Sequence, residues 1–439
     1  MRKKLNNWWQ DKRSSFWFVP AVMVLDAVVL ATVLIIVDAS ADLQIVERWP
    51  LLFGAGAAGA RGLLTAVAGS MITVAGVVFS ITLVAISLTS SQYTSRVIRN
   101  FMRNRVNQIV LGVFVGIFAY CLVVLRTIRG GDEGAFVPAL AVLGGLFLAF
   151  VGIAFLIYFI HHISRSIQAS SIIASAAQET ISAVDHLFPK RQDEDSDEDL
   201  NGKPAMSPVN PSWYAVPAQK TGYVESIEMK ALLNAARKHG NILRMDRCIG
   251  EFVVEGMPLV SVSNPYDPDG KTAAEINEIY LISRQRTVEQ DPAFGIRQIV
   301  DIALKALSPG INDTTTAVIC VDYLSAILIR LAPRRIAASH LTDQGELRVI
   351  TRGQSFGSLL AEAFDQIRRN AAGNVAIMTR ILDALQTIAG MTPSPTRRRA
   401  IREQVQCIAE LAGRTIGSPQ DLAEFENRLE RAREAMGSN

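Results

Sequence analysis

The chain has 439 residues, of which 49% are hydrophobic and 19% charged, and its formal net charge is +3. The mean hydropathy is +0.24, and this positive value excludes a largely disordered chain, because disorder requires low hydrophobicity and high net charge. With 30 glycines and 4 cysteines, the composition also excludes a collagen-like repeat and a disulfide-stapled scaffold.

Four long apolar runs lie before residue 161, and no run of that length follows. They cover residues 16–37, 63–88, 109–125 and 136–160. About 20 apolar helical residues cross a hydrocarbon core of about 30 Å, so residues 1–160 are predicted to form four transmembrane helices. The first run is longer than the about 7–15 residues of a signal-peptide core, and we therefore expect it to be retained as a span.

Basic residues predict the orientation. The loop after the second run carries Arg96, Arg99 and Arg103 and no acidic residue. Loops rich in Lys and Arg stay in the cytoplasm, which predicts a multi-pass protein with both termini cytoplasmic. At the cytoplasmic mouth of a pore, these arginines would favour anions.

The second run contains small or hydroxyl-bearing residues at alternating steps of three and four, which places them in one stripe along a helix. Two interpretations are open. Small residues let membrane helices approach closely, so the stripe could be a packing seam. Alternatively it lines a pore, with Leu83 or Phe79 as a hydrophobic constriction. The predicted pore-lining residues are Gly69, Thr73, Gly76, Ser80, Leu83 and Ser87.

Asp26 is the carboxylate that lies well inside a predicted span. An ionisable group in hydrocarbon is costly and suggests a functional role. The alternative is an aspartate that is hydrogen-bonded to a neighbouring helix or that reaches water.

Three further segments follow the spans. Residues 161–189 predict that the fourth span continues as an amphipathic neck helix, whose apolar face could self-associate. Residues 190–212 are acidic and proline-rich, which is typical of a solvated linker. Residues 213–439 predict a cytoplasmic α+β domain. Its residues 250–262 resemble the end of a small β-barrel, and helices are expected near 355–372, 374–390, 396–413 and 419–436.

A polar passage lies between residues 286 and 317. Asp291 is a good N-cap followed by Pro292, and Asn312 or Asp313 can cap the next helix. Charges at spacing four on the first helix are most simply an exposed ladder. The alternative is a cluster that binds an ion or phosphate, or fixes a subunit interface. Its members would be Asp291, Arg297, Asp301, Asn312 and Asp313.

The sequence contains no P-loop, G-x-S-x-G, H-E-x-x-H or C-x-x-C motif. We therefore expect no enzymatic activity, no cofactor and no metal site. The arginines at 397–399 lack the interleaved aromatic residues typical of nucleic-acid binding. The expected partners are membrane lipid, further copies of the chain and ions, and not nucleic acid.

Three passages resemble a bacterial family of predicted four-span membrane proteins of unknown function. They are FSITLVAISLTSSQYTSRVIRNF at 79–101, QDPAFGIRQIVD at 290–301 and ALSPGIND at 306–313. Thr314 departs from the family pattern, in which a proline is expected. The resemblance covers nearly the whole chain. It implies a protein of the bacterial inner membrane and implies no activity.

Two function classes remain. The first is a homo-oligomeric ion channel lined by the second transmembrane helix, with a cytoplasmic regulatory domain. The second is a membrane-anchored scaffold or regulatory protein whose soluble domain binds a partner. A proton-coupled transporter would rest on Asp26 and, with four spans per copy, would need oligomers.

Overall fold

The structure, a computed structural model, describes residues 17–40, 56–92, 105–130, 136–190, 212–263, 270–336 and 340–437. The chain divides into two compact units, a first unit of Met1–Ser171 and a second unit of Ile172–Asn439. The predicted linker at 190–212 lies almost entirely outside the described residues.

The first unit is built from four apolar helices. They are α1 (Phe18–Ser40), α2 (Ala57–Gln92), α3 (Arg105–Thr127) and α4 (Ala139–Ser166). Helix α3 packs against each of the other three, and it therefore buries the most side chains, among them Phe114, Tyr120 and Val124. The core of this unit is accordingly centred on α3.

Glycines allow these helices to approach closely. A Cβ on Gly112 of α3 would lie 2.6 Å from Met23 Sδ, and one on Gly152 of α4 would lie 2.9 Å from Met71 Sδ. Close approach at small residues is the usual way in which membrane helices associate. The contacts between α1, α2, α3 and α4 are thus formed at positions that exclude larger side chains.

A carboxylate from α1 caps the start of α4. Asp38 accepts hydrogen bonds from the backbone N–H of Leu140 at 3.2 Å and of Ala141 at 3.1 Å. These N–H groups have no partner inside their own helix, and the negative charge also complements the helix dipole. The end of α1 and the beginning of α4 are therefore joined by polar contacts.

The predicted continuous neck is not formed, because α4 ends at Ser166 and a separate helix, α5 (Ala169–Leu187), begins after a turn. The buried face of α5 includes Ile173, Ala177 and Val184. These side chains are buried within the second unit. The apolar face that was expected to be available for self-association is thus already covered by the same chain.

The second unit contains two open sheets. A five-stranded mixed sheet has the order β1-β5-β3-β8-β7, with β3 and β8 parallel, and a three-stranded antiparallel sheet has the order β4-β2-β6. Two short helices, α6 (Met229–His239) and α7 (Gly270–Ile279), accompany them. The strands are β1 (Trp213–Pro217), β2 (Gly222–Ile227), β3 (Leu243–Met245), β4 (Phe252–Val253), β5 (Pro258–Ser263), β6 (Tyr280–Ser283), β7 (His340–Asp343) and β8 (Glu346–Ile350).

The α+β assignment is confirmed, but the barrel-like part is not, since neither sheet closes within the described residues. Residues 250–262 do contain β4 and most of β5, as the likeness to the end of a small β-barrel implied. The two strands belong to different sheets, and each sheet keeps free edge strands. The pattern identified the strands but could not reveal their partners.

Six helices complete the second unit, four of them close to the predicted C-terminal bounds. They are α8 (Pro292–Ala306), α9 (Thr314–Leu331), α10 (Phe356–Asn370), α11 (Val375–Gly390), α12 (Pro395–Thr415) and α13 (Pro419–Gly437). Side chains of Ser355, Asn374 and Ser394 cap the starts of α10, α11 and α12. Each cap satisfies an N–H that the helix itself leaves unpaired.

Five described helices, rather than four, are long and apolar enough to cross a membrane: α1 to α4 and also α9. The sequence analysis expected four such helices and did not identify α9. Helix α9 has 18 residues and the lowest hydropathy of the five. It also carries Asp322, which pairs with Arg380, and Arg330, which pairs with Asp185. These charges interrupt the apolar pattern, which is why no long run was seen there.

Candidate functional site

The small-residue stripe of α2 faces away from the helices of its own unit. Leu64, Ala68, Met71, Ala75, Val78, Thr82 and Ala85 are buried. Each buried residue from Met71 onward follows a stripe residue by two positions, which is a rotation of about 200° around the helix. The buried residues therefore lie on the face of α2 that is opposite to the stripe. The exposed stripe comprises Gly69, Thr73, Gly76, Ser80, Leu83 and Ser87.

The glycines of the stripe are not needed for packing among the described residues. A Cβ at Gly62, Gly69 or Gly76 would meet no atom within 4 Å. Gly152 of α4, which faces α2, is different, because a Cβ there would overlap Met71. Among the described residues, the stripe is therefore not a seam inside one copy. A contact between copies and a pore lining both stay predictions.

The hydroxyl of Thr73 is oriented by its own helix. Its Oγ1 donates to the carbonyl oxygen of Gly69 at 2.8 Å. The proton is thereby satisfied, while the oxygen keeps acceptor capacity on the exposed face. Of the two predicted constriction residues, Leu83 lies on the stripe and is half exposed. Phe79 instead lies beside α1, with its ring centroid 6.5 Å from that of Trp17.

Asp26 lies on the outward face of α1, among the exposed side chains of Val22, Val29 and Leu30. The buried residues of α1, Pro20 and Ala31, lie on the other side. Within the described part of the chain, Asp26 has no hydrogen-bond or ion-pair partner. The structure therefore does not place it against a neighbouring helix of the same copy.

The arginines of the predicted cytoplasmic mouth, Arg96, Arg99 and Arg103, fall outside the described residues, and their role stays a prediction. Arg105, the first residue of α3, is exposed.

The five residues of the predicted polar cluster are not brought together. Asp291 precedes α8, whereas Asn312 and Asp313 follow its end. A helix of 15 residues is about 22 Å long. This length separates the two caps, so they cannot bind one ion.

Asp291 is a buried structural group. It is 1% exposed and caps α8 by accepting from the N–H of Phe294 at 3.2 Å. Arg286 donates to it through Nε at 2.8 Å, and Gln354 donates through Nε2 at 3.2 Å. Gly250, with φ +86°, lies so close that a Cβ would be 2.5 Å from the Asp291 carboxylate. The predicted N-cap of α8 is confirmed. The other contacts of Asp291 connect the loops that contain Gly250, Arg286 and Gln354.

The remaining members of the predicted cluster form local contacts. Arg297 pairs with Asp301 at 3.0 Å and with Glu362 of α10 at 3.2 Å. Asp313 caps α9 through Thr316, whose N–H and hydroxyl both donate to it. These bonds hold the pKa of the Asp313 carboxyl below its usual range. Asn312 is exposed and has φ +48°.

The thiol of Cys248, which lies in the same loop as Gly250, is not a favoured nucleophile. Burial, followed by the nearby Glu251 carboxylate, raises the pKa of the Cys248 thiol to about 11. A thiol with such a pKa is protonated at neutral pH and is a poor nucleophile. No group of three or more His, Cys, Asp or Glu side chains in the described ranges is arranged to hold a metal ion.

Two buried arginines stabilise the second unit. Arg334 is 5% exposed, and its Nη2 donates to Asp185 of α5 at 2.6 Å. Arg397 is buried and donates to the carbonyl oxygens of Ala332 at 2.8 Å and of Arg334 at 2.9 Å. A cation at a helix C-terminus complements the helix dipole. The run of arginines at 397–399 gave no sign that Arg397 is buried, and no sequence pattern pointed to Arg334.

A sequence model of the family described as "Predicted membrane protein (DUF2254)" matches residues 13–387. The uncharacterized protein Mb1321c of Mycobacterium bovis and the uncharacterized protein Rv1290c of Mycobacterium tuberculosis are similar to the chain. Each is 34% identical over 394 residues, which cover 88% of this chain and 74% of the relative. No solved structure matches the chain significantly. The resemblance found in the sequence is confirmed: the chain belongs to the DUF2254 family of predicted membrane proteins.

Proposed function

We propose that several copies of this membrane protein assemble around the stripe of α2 and form an ion-conducting pore. Helices α1 to α4 span the bacterial inner membrane in this proposal. Helix α9 stays in the soluble core, since its Asp322 and Arg330 both form ion pairs with residues of the second unit. The second unit acts as a cytoplasmic regulatory domain, and no catalytic step is involved.

The observation that carries the proposal is the exposure of the stripe. In a single copy surrounded by lipid, large apolar side chains would suit this face well. Small and hydroxyl-bearing residues gain an advantage only against another helix or against water. Since the stripe residues are exposed and not covered by the described helices of their own unit, the partner in this proposal is a further copy or a water-filled axis.

The orientation rests on charge. The loop between α2 and α3 carries arginines and no acidic residue, which favours the cytoplasmic side. With four spans, both termini then lie in the cytoplasm, and Arg96, Arg99 and Arg103 surround the inner mouth. In this arrangement the pore prefers anions over cations.

The test is ion flux through the full chain reconstituted in lipid vesicles, across a range of potentials and membrane tensions. We expect Thr73→Leu and Ser80→Leu to abolish or alter conduction, because they replace hydroxyl groups along the pore. Ser70→Leu is the matched control, since Ser70 is exposed on α2 but lies off the stripe. Absence of flux under all conditions, or a monomeric state in a membrane mimic, would falsify the proposal.

One observation favours the scaffold as a second candidate. Phe252 and Leu281 are 50% and 45% exposed on one face of the three-stranded sheet, where Tyr223 contacts Phe252 edge-on at 5.1 Å. Exposed apolar patches on soluble domains often bind partners. A scaffold should tolerate Thr73→Leu and Ser80→Leu and should depend on Phe252 and Leu281, whereas a pore shows the opposite pattern.

A further inference from the structure

An apolar groove opens between α1 and α2. Its volume is about 530 Å³, and α3 forms its floor. It is lined by Trp17, Pro20, Val24, Gly76, Phe79 and Leu111, among other residues that are all small or apolar. This volume lies within the range of about 300–1,000 Å³ typical of small-molecule sites.

The two ends of the groove differ. Trp17 and Phe79 approach each other across one end, with ring centroids 6.5 Å apart. Arg105, the first residue of α3, precedes Leu111 by six residues, which is about 9 Å along the helix axis. Arg105 therefore lies toward the end of the groove at which Trp17 and Phe79 meet. Indole rings and arginines are both favoured at the level of lipid headgroups.

The aromatic pair restricts how the groove can be occupied. Rings whose centroids are 6.5 Å apart are in contact, so Trp17 and Phe79 close this end and no occupant passes between them. A hydrocarbon chain, which is thinner than a helix of about 10–12 Å, can lie along the groove beside the rings, and the groove is surrounded by hydrocarbon if α1 to α3 span the bilayer. Apart from the indole of Trp17, the side chains of its lining are apolar.

We propose that the groove binds one acyl chain of an anionic phospholipid, with the headgroup at the Trp17 and Arg105 end. The acyl chain contacts Pro20, Val24 and Leu111, and the guanidinium of Arg105 faces the phosphate region. This site depends on α1, α2 and α3 crossing the membrane. It does not depend on conduction or on assembly of several copies.

The experiment uses the full chain in vesicles of phosphatidylethanolamine and phosphatidylglycerol. Phosphatidylglycerol with a photoreactive diazirine in its acyl chain is the probe, and labelled residues are mapped by mass spectrometry. We expect strong labelling at Leu111 and Val115. Phe147 and Phe150, on the exposed face of α4, report ordinary contact with bulk lipid.

Two substitutions fill the groove. Gly76→Phe adds a ring at a position where a Cβ meets no atom within 4 Å, and Ala21→Phe fills the groove from α1 if the first variant does not fold. Both should lose the labelling at Leu111 and keep that at Phe147. Ser70→Phe is the matched control, because Ser70 is exposed on α2, lies off the stripe and does not line the groove. It should label like the unmodified chain.

The headgroup preference is tested by the same probe built on phosphatidylethanolamine. We expect weaker labelling of the groove by this zwitterionic lipid, and Arg105→Gln should remove the difference between the two lipids. The site would be overturned if Leu111 is labelled no more strongly than Phe147. It would also be overturned if the labelling at Leu111 is unchanged in Gly76→Phe and Ala21→Phe. A cross-link through the groove to a second copy would also overturn it, and equal labelling by both lipids would overturn the anionic headgroup.

Discussion

The hydroxyl of Thr180 on α5 lies directly against the backbone of Gly295 on α8, so that a Cβ at position 295 would be 2.0 Å from Thr180 Oγ1. Thr180 is fully buried, and its hydroxyl donates to the carbonyl oxygen of Ala176. The side chain therefore cannot easily rotate away. This contact fixes how closely α5 approaches α8.

Gly295→Ala should destabilise the second unit by about 1–3 kcal/mol, the usual cost of inserting a methyl group into a packed core. The measurement is thermal or denaturant unfolding of the purified chain. Thr180→Ala should restore much of the loss in the double variant. Gly310→Ala is the control, since a Cβ there meets no atom within 4 Å. Equal effects at both glycines would contradict the contact.

Asp185→Asn should loosen α5. Asp185 accepts two hydrogen bonds from Arg330, at 2.7 and 2.8 Å, and one from Arg334 at 2.6 Å. The substitution leaves the buried Arg334 without its carboxylate, which is costly in a low-dielectric surrounding. We expect faster proteolysis within α5 and a melting temperature lower by several degrees. Asp343→Asn, which breaks the exposed pair with Arg237, should change little.

The stability conferred by Asp185 should depend on pH in a defined direction. The hydrogen bond from Arg330 and the positive charge of Arg334 hold the pKa of the Asp185 carboxyl below its usual range. Its contribution is therefore complete above the unfolded-state pKa of about 3.9, and it is lost as the pH falls through the lower folded-state value. The difference in unfolding free energy between the unmodified chain and Asp185→Asn should be constant at neutral pH and shrink below about pH 4. A difference that grows on acidification would contradict this assignment.

Asp38→Ala should destabilise the first unit by about 0.5–2 kcal/mol, the usual cost of losing an N-cap. Asp38→Asn should cost less, because the amide oxygen can still accept one of the two hydrogen bonds at the start of α4. The measurement is thermal unfolding in a membrane mimic. If both variants melt like the unmodified chain, the cap contributes no stability.

Cys248 should react slowly with alkylating reagents in the folded chain. With a pKa of about 11, only about one thiol in ten thousand is ionised at pH 7, and the thiolate is the reacting form. The alkylation rate at Cys248, followed by mass spectrometry, should rise about tenfold per pH unit above neutrality. The denatured chain, in which the thiol regains its ordinary pKa, should react much faster at the same pH. Rapid labelling of folded protein at pH 7 would contradict the burial effect.

The apolar runs predicted where α1 to α4 lie, because membrane helices are identified by local hydropathy. They underestimated α2, which extends from Ala57 to Gln92 rather than over residues 63–88. Small residues and serines at its ends lower the hydropathy without ending the helix. The caps at Asp291 and Asp313 were likewise local patterns, and both are confirmed.

Contacts between distant segments could not be predicted in this way. Asp38 is 103 positions from Ala141 of α4, and Asp185 is 149 positions from Arg334. The spacing of the small residues in the sequence predicted a stripe along α2. It could not predict which way the stripe faces, because that depends on which face of α2 packs on α3 and α4. The predicted polar cluster is not formed for a related reason. Its residues are near in sequence, but the length of α8 separates Asp291 from Asn312 and Asp313.

The length of α2 has a consequence for its behaviour in bilayers of different thickness. Its apolar part, Ala57–Leu88, has 32 residues and is about 48 Å long, which exceeds a hydrocarbon core of about 30 Å. Even a tilt of about 40°, at the limit for membrane helices, leaves a projection of about 37 Å. If α2 spans the bilayer, some of its turns therefore lie outside the hydrocarbon at one or both ends. A thinner or stretched bilayer would expose more of them to water, so this helix couples the depth of Gly69, Thr73 and Ser80 to membrane thickness.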